Sequence, residues 1–277
     1  MEKISILIAN YNNGKYFKDC YDSLLSQTYM NWEAVIVDDQ STDNSLEIIK
    51  EIIKNDSRFK LYQNETNQGC GFTKKKCVDL ATGDYCGYLD PDDALFPDAI
   101  QCLIEEIQDY SNLVATYSQL AFCNEDLTPQ RTFSKIKQVY NDKYFFNCPI
   151  QISHFFVFDR KAYLKTSGLD PNLKSAVDQD LYLKLLEVGN VKFVPEVLYK
   201  YRLHPNGISQ QSSKNKAKNS FAKVIYEAMK RRGIKQTQNG IVPDQFTTAE
   251  EIYQLLEYQT KPLFRLKNKI KSSLKRY

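Results

Sequence analysis

The chain has 277 residues, 42% of them hydrophobic, and a formal net charge of +3. That length suits one large α/β domain or one domain with an extension, and the apolar fraction is enough for a packed core. The first residues hold no basic stretch followed by a long apolar run, so no signal peptide is expected, and no apolar run nears the ~20 residues that span a bilayer. The seven cysteines are scattered without a CxxC pair, which argues against a zinc site or disulfide framework and for reduced thiols in a cytosolic protein. Residues 261–277 carry seven Lys/Arg and no acid, whereas residues 1–210 are net acidic, which argues against nucleic acid as the main partner of the front of the chain.

Ile4 to Ala9 (ISILIA) is a near-continuous apolar run, the pattern of a strand buried on both faces. Asn10-Tyr11-Asn12-Asn13-Gly14 is a loop, after which Phe17, Cys20, Leu24 and Leu25 recur at helical spacing. Trp32 to Val37 predicts a second buried strand, ending in Asp38-Asp39. Ser41-Thr42-Asp43 suit a helix N-terminus ahead of the apolar face Leu46, Ile49, Ile52 and Ile53. Phe59 to Tyr62 predicts a short third strand, and a polar loop leads to a helix around Thr73–Ala81. Tyr85 to Leu89 predicts the fourth strand, and Ile100, Leu103, Ile104 and Ile107 mark a helix after Pro97. Strands alternating with helices of this length predict a parallel, doubly wound sheet. Beyond residue 112 the alternation weakens. Val114–Tyr117, His154–Phe158 and Leu198–Leu203 read as strands, Asp178–Val188 as an amphipathic helix, and 215–232 and 248–258 as helices of an extension.

The fourth strand runs into Asp90-Pro91-Asp92-Asp93. Three carboxylates within four residues raise one another's pKa. One Asp would suffice for a turn or a helix cap. The excess predicts a cation, and hard oxygen donors suit Mg²⁺ or Mn²⁺. In an open parallel sheet ligands sit beyond the carboxyl ends of the strands. Three such ends here are polar: Asn10-Tyr11-Asn12, Asp38-Asp39 and the Asp cluster.

These segments resemble a family-2 glycosyltransferase of the GT-A fold, through most of residues 3–205. ISILIANYNN is similar to its first strand and base-binding loop, and SLLSQTYMNWEAVIVDDQSTDNS to its most recognisable segment. YLDPDDAL is similar to its DxD-type motif, and VDQDLYLKLLEVG with VLYKYRLHPNGIS to its acceptor-side helix and closing strand. The resemblance implies a GT-A fold with a mostly parallel central sheet. It implies a catalytic domain over 1–210, with a nucleotide-sugar half (1–112) and an acceptor half (113–210), and a helical extension over 211–277.

By the same resemblance, Ala9 and Tyr11 flank the nucleotide base. Asp39 accepts its imide N–H, Asp38 shapes the loop, and Asn67 belongs to the matching loop Asn67-Gln68-Gly69. Asp90 lies near the ribose or the metal, and Asp92 ligates Mg²⁺ or Mn²⁺. Lys74 stands where the family usually carries Arg, either meeting a phosphate or ribose or lying on a solvated helix face with Lys75 and Lys76. The usual Glu-Asp pair reads Val177-Asp178 here. Asp178 remains as the candidate general base, ionised by its place at a helix N-terminus, while Asp180 points elsewhere. His204 is assigned to the pyrophosphate or metal side, and His154 to the core or cleft wall.

The implied activity is a metal-dependent, inverting hexosyl or N-acetylhexosaminyl transfer from a UDP-sugar. The acceptor would be a glycan or a lipid-linked glycan, in bacterial surface polysaccharide synthesis. One base and one displacement suffice for inversion. Two rivals are a sugar-nucleotide pyrophosphorylase, which should show a Gly-rich phosphate loop after the first strand, and a disabled nucleotide-sugar-binding scaffold. In the tail, Leu263, Leu266, Ile270 and Leu274 recur at helical spacing among Lys and Arg. That pattern predicts peripheral contact with an anionic membrane from the cytoplasmic side.

Overall fold

A computed structural model describes residues 2–110, 112–204, 214–262 and 264. Strands β1 (Ile4–Asn10), β2 (Trp32–Asp38), β3 (Phe59–Gln63) and β4 (Tyr85–Tyr88) pair in parallel in the order β3-β2-β1-β4. The sequence leads directly to this arrangement. β1 and β2 are buried almost throughout, as strands covered on both faces must be. Helices α1 (Phe17–Leu25), α2 (Ser45–Ile53) and α3 (Cys70–Leu80) supply the crossovers.

Beyond β4 the sheet continues but turns mixed. After the two-residue β5 (Ala94–Leu95) and α4 (Ala99–Gln108) come β6 (Leu113–Cys123), β7 (Pro129–Thr132) and β8 (Phe156–Asp159). Then follow α5 (Arg160–Leu164), α6 (Val177–Leu185) and β9 (Asn190–Arg202). The full order is β3-β2-β1-β4-β8-β6-β9-β5, with β7 on β6. β8 runs antiparallel to both β4 and β6, while β6 and β9 are parallel. The parallel sheet predicted from alternation therefore holds for the first four strands, and the second half is mixed.

Several boundaries differ from the sequence reading for physical reasons. α3 begins at Cys70, three residues before the predicted Thr73, because Gly69 takes φ 89° and turns the chain in without a capping side chain. The last strand begins at Asn190, since its middle (Pro195-Glu196) is exposed and hides the apolar pattern. α6 is buried nearly all round rather than amphipathic. β5, β7 and α5 left no periodic signal.

The extension is built from α7 (Lys214–Arg231), the hairpin β10 (Gln236–Thr237)–β11 (Gly240–Ile241) and α8 (Ala249–Leu256). Ala222, Val224, Ile225, Ile252 and Leu256 join the same buried apolar cluster as the sheet. Arg232 fastens the extension to α6 and to the loop that carries Phe145. Its guanidinium pairs with Glu187 (3.0 Å) and donates to the carbonyls of Leu183 and Phe145. The amphipathic tail lies largely outside the described residues. Of its residues, Phe264 stands with its ring centroid 5.0 Å from that of Tyr258.

Candidate active site

The carboxyl ends of β1 and β2 are locked by two buried aspartates with different partners. Asp38 accepts from Asn10 Nδ2 (2.7 Å) and from the Ser41 amide (2.9 Å) and hydroxyl (2.5 Å). Asp39 accepts from Asn64 Nδ2 (2.7 Å) and from the amides of Gln68 (2.8 Å) and Gly69 (2.7 Å). Asn67 Nδ2 closes the same loop on the Asp39 carbonyl (3.1 Å). A carboxylate offers about four lone-pair sites, so the loop takes three of Asp39's and leaves one. Tyr11 stands 45% exposed at the rim, and Ala9 is half-buried beneath it in β1.

The loop that leads to α6 is pressed onto this frame. A Cβ on Gly71 would stand 2.6 Å from the carbonyl oxygens of Asp170 and Leu173, so only glycine lets α3 approach the loop that leads to α6. Lys174 Nζ reaches the Gln68 carbonyl (2.7 Å). Ala176 holds φ 60° just before α6. Backbone of this kind costs about 1–2 kcal/mol in a non-glycine residue, and Asn12, Gln40 and Asn147 share it. Leu127, in the turn before β7, is the fifth non-glycine residue of this kind among the described residues.

Lys74 joins the two sides. It is only 4% exposed, and its Nζ lies 2.7 Å from Asp178 Oδ1 and 3.4 Å from Asp90 Oδ1. The solvated-helix-face alternative for Lys74 is thereby removed; Lys75, paired with Asp79, does lie on the exposed face. Burial alone would lower the Lys74 pKa, but Asp178 and then Asp90 outweigh it and hold the amine protonated. Burial alone would raise Asp178, but Lys74 and then His154, at 3.8 Å, hold it below the usual carboxylate value. Asp178 is thus ionised and 27% exposed at the side chain. Asp180 points away and pairs with Lys184 (2.7 Å), also accepting the Asp170 amide.

The Asp cluster separates into distinct roles. Asp93 is buried, accepts from the Tyr199 hydroxyl (2.7 Å) and the Arg202 amide (2.8 Å), and is pushed well up by burial and by Asp92 and Asp90. Asp92 Oδ2 stands 2.8 Å from His204 Nε2. Burial and the nearby Asp90 raise its carboxyl. Two cis donors at ~2.1 Å from one octahedral ion stand ~3 Å apart, so this spacing fits two ligands of a single divalent cation. His204 Nδ1 is buried with no hydrogen-bond partner among the described residues. Asp90 is 30% exposed at the side chain, but its oxygens do not close with Asp92 and His204 into a three-ligand group; among the described residues the group with that spacing is Asp98, Cys102 and Glu196.

The structure gathers Ala9, Tyr11, Asp39 and Asn67 at the ends of β1 and β2, Lys74, Asp90 and Asp178 in one linked group, and Asp92 with His204. Sequence reasoning put His154 at the core or cleft wall without linking it to Asp178, counted Asp93 only as part of the Asp cluster, and gave no role to Tyr199. His154 lies 24 positions before Asp178, and no spacing rule joins a loop residue to a helix across that gap. The Asp93–Tyr199 bond likewise spans 106 positions.

Residues 5–166 match the family model described as glycosyl transferase family 2. The chain is 33% identical over 243 residues to the chondroitin synthase of Escherichia coli, covering 84% of this chain but only 33% of that protein. Among solved structures, TarS of S. aureus in complex with UDP-GlcNAc superposes with a TM-score of 0.65 at 21% identity, over 82% of this chain and 66% of that one. A mannosyltransferase from Pyrobaculum calidifontis, in complex with GDP-Man and Mn²⁺, gives 0.60 at 14% identity, over 91% and 68%. Mixed α/β topology, ordered motifs and the extent of the match agree: the fold is GT-A, and the chain belongs to glycosyl transferase family 2.

Proposed function

We propose that this glycosyltransferase moves a sugar from a UDP-sugar to a hydroxyl of a growing surface polysaccharide, by a single inverting displacement. The observation that carries this reading is the shared lysine: Lys74 touches the candidate base Asp178 and the metal-side Asp90 at once. Base and diphosphate site are therefore within one side chain of each other. Tyr11 would pack on the base, and the free acceptor site of Asp39 would take its imide N–H. Asp178, ionised, would remove the proton of an acceptor hydroxyl reaching its exposed oxygen. With Asp178 acting as base rather than nucleophile, the acceptor oxygen displaces the UDP in one step and configuration inverts.

Asp92, Asp90 and His204 would hold a divalent cation. Such a cation offsets the charge of the leaving diphosphate. An imidazole in the set favours Mn²⁺ over Mg²⁺, which prefers oxygen. The Mn²⁺ and UDP-GlcNAc bound by the two structural relatives support the metal and donor class, and the polysaccharide-forming relative supports the acceptor class. The loop after β1 is no Gly-rich phosphate loop, which disfavours the pyrophosphorylase reading. We assign catalysis to residues 1–210 and, from its sequence, peripheral attachment to the cytoplasmic membrane face to the basic tail.

The test is UDP release from a panel of UDP-sugars, with and without EDTA and with Mn²⁺ or Mg²⁺ restored. Metal-restored release from one sugar is expected. Absence of release with every sugar and metal would leave the scaffold reading. For the tail, deletion of 261–277 should abolish co-sedimentation with anionic vesicles and spare donor hydrolysis.

A further inference from the structure

Arg202, the last residue of β9, has a side chain only 2% exposed, and its partners come from three separate segments. Its Nε donates to the Asp92 carbonyl (2.6 Å). One terminal nitrogen donates to the Glu125 carbonyl in the turn between β6 and β7, and the other to Asp19 Oδ2 of α1 (2.7 Å). Its backbone amide donates to Asp93 Oδ1 (2.8 Å). One residue therefore holds Asp92 by its main chain and Asp93 by its side chain. Two positions further along stands His204, and the Leu203 amide between them donates to the Cys123 carbonyl (2.9 Å).

Tyr16 closes the arrangement from the nucleotide half. It ends the short 3₁₀ turn Gly14–Tyr16 that follows the β1 loop. The Arg202 guanidinium carbon lies 4.7 Å from its ring centroid, and the His204 ring centroid also lies 4.7 Å away. Its hydroxyl donates to Glu125 Oε1 (3.2 Å). Asp92 is thus fixed at its backbone and His204 at its ring, and both anchors meet at Arg202. The charge of Arg202 does not explain this place, because a positive charge beside a cation site weakens that site. What a guanidinium offers instead is a planar fork with five donors at fixed angles, here spent on three segments at once. A lysine would carry the same charge without the fork.

We propose that Arg202, with Tyr16 packed against it, is a positioning residue that presets the Asp92–His204 pair at the spacing of two ligands of one cation, so that the site takes up a divalent ion before UDP arrives. The inference rests on the metal reading above and goes beyond it to the order of binding. UDP would then complete a site whose protein half already stands in place, its phosphates supplying further oxygen ligands. Groups that hydrogen-bond behind metal ligands typically change metal affinity by about 10–100-fold when they are lost.

The test titrates the full chain with Mn²⁺, alone and with UDP, and reads binding by electron paramagnetic resonance. The wild type should bind Mn²⁺ without UDP. Arg202→Lys keeps the charge and loses the fork, and should weaken that binding about tenfold or more. Tyr16→Leu keeps an apolar side chain and the net charge, and should weaken it in the same direction; it decides the matter if Arg202→Lys does not fold. Thermal melts identify the folded variants. A merely structural role would lower the melting temperature and leave the Mn²⁺ affinity of the folded protein unchanged. If folded variants bind Mn²⁺ as the wild type does, or if the wild type binds Mn²⁺ only with UDP, the proposal is refuted and the metal reading stands. If the wild type binds no Mn²⁺ with or without UDP, the metal reading falls and this proposal with it.

Discussion

Lys74 Nζ lies 2.7 Å from Asp178 Oδ1, so the residue proposed to take the acceptor proton is ion-paired. Lys74 both fixes the carboxylate and weakens it as a base. Replacing it with Met removes the largest influence that opposes burial, so the Asp178 pKa should rise. The acid limb of kcat/KM should then move to higher pH, with Lys74→Arg restoring it. An unmoved limb would show that Lys74 does not govern the base.

Asp178→Asn should bind UDP and metal as wild type and transfer sugar ~10²–10⁴-fold more slowly. Asp180→Asn should behave differently. Asp180 holds Lys184 and the Asp170 amide in a buried cluster, so its loss should lower the melting temperature more than kcat of the folded fraction. Parallel kinetics and melts on both variants separate the two roles.

Asp39 and Tyr11 should also part company. Asp39→Ala strands three donors of the 64–69 loop and should cost about 2–4 kcal/mol in stability as well as UDP affinity. Tyr11→Ala, at an exposed rim, should weaken UDP binding with little change in melting. Denaturant titrations with and without UDP would read both effects. An Asp39→Ala protein of wild-type stability would contradict the loop role derived from its hydrogen bonds.

Asp92→Asn removes an oxygen beside His204 and should sharply reduce Mn²⁺ binding, seen directly by electron paramagnetic resonance on the folded protein. Full Mn²⁺ occupancy in this variant would move the metal site elsewhere.

Glu33 offers a test of the frame away from the cleft. It is buried in β2 and accepts from Lys3, Lys60, Ser5 and Thr82. Burial would raise its carboxyl, but these partners outweigh that and hold it well below the ordinary value. With a depressed folded pKa, its contribution is present above the unfolded value of about 4.3 and is lost as pH falls toward the folded one. Glu33→Gln should therefore cost about 1–3 kcal/mol at pH 7, and the gap to wild type should close under acid. A gap that stays constant from pH 7 to 3 would contradict this account.

The sequence by itself determined the parallel half of the sheet and the polar ends of its strands. Buried strands such as ISILIA must be apolar throughout, and the Asp-rich stretch after β4 marked a charged strand end. Local chemistry, written in neighbouring residues, was enough for these. Only the tertiary structure decided that Lys74 is buried between Asp178 and Asp90, that His154 stands beside Asp178, and that Asp93 belongs to Tyr199 and Arg202 while Asp92 belongs to His204. It also decided where α3 begins, because Gly69 enters the helix through a left-handed turn rather than a side-chain cap. The side-chain relationships among these join residues from 16 to more than 100 positions apart. No periodicity carries across such gaps, since which loop meets which helix depends on how the whole sheet is wound.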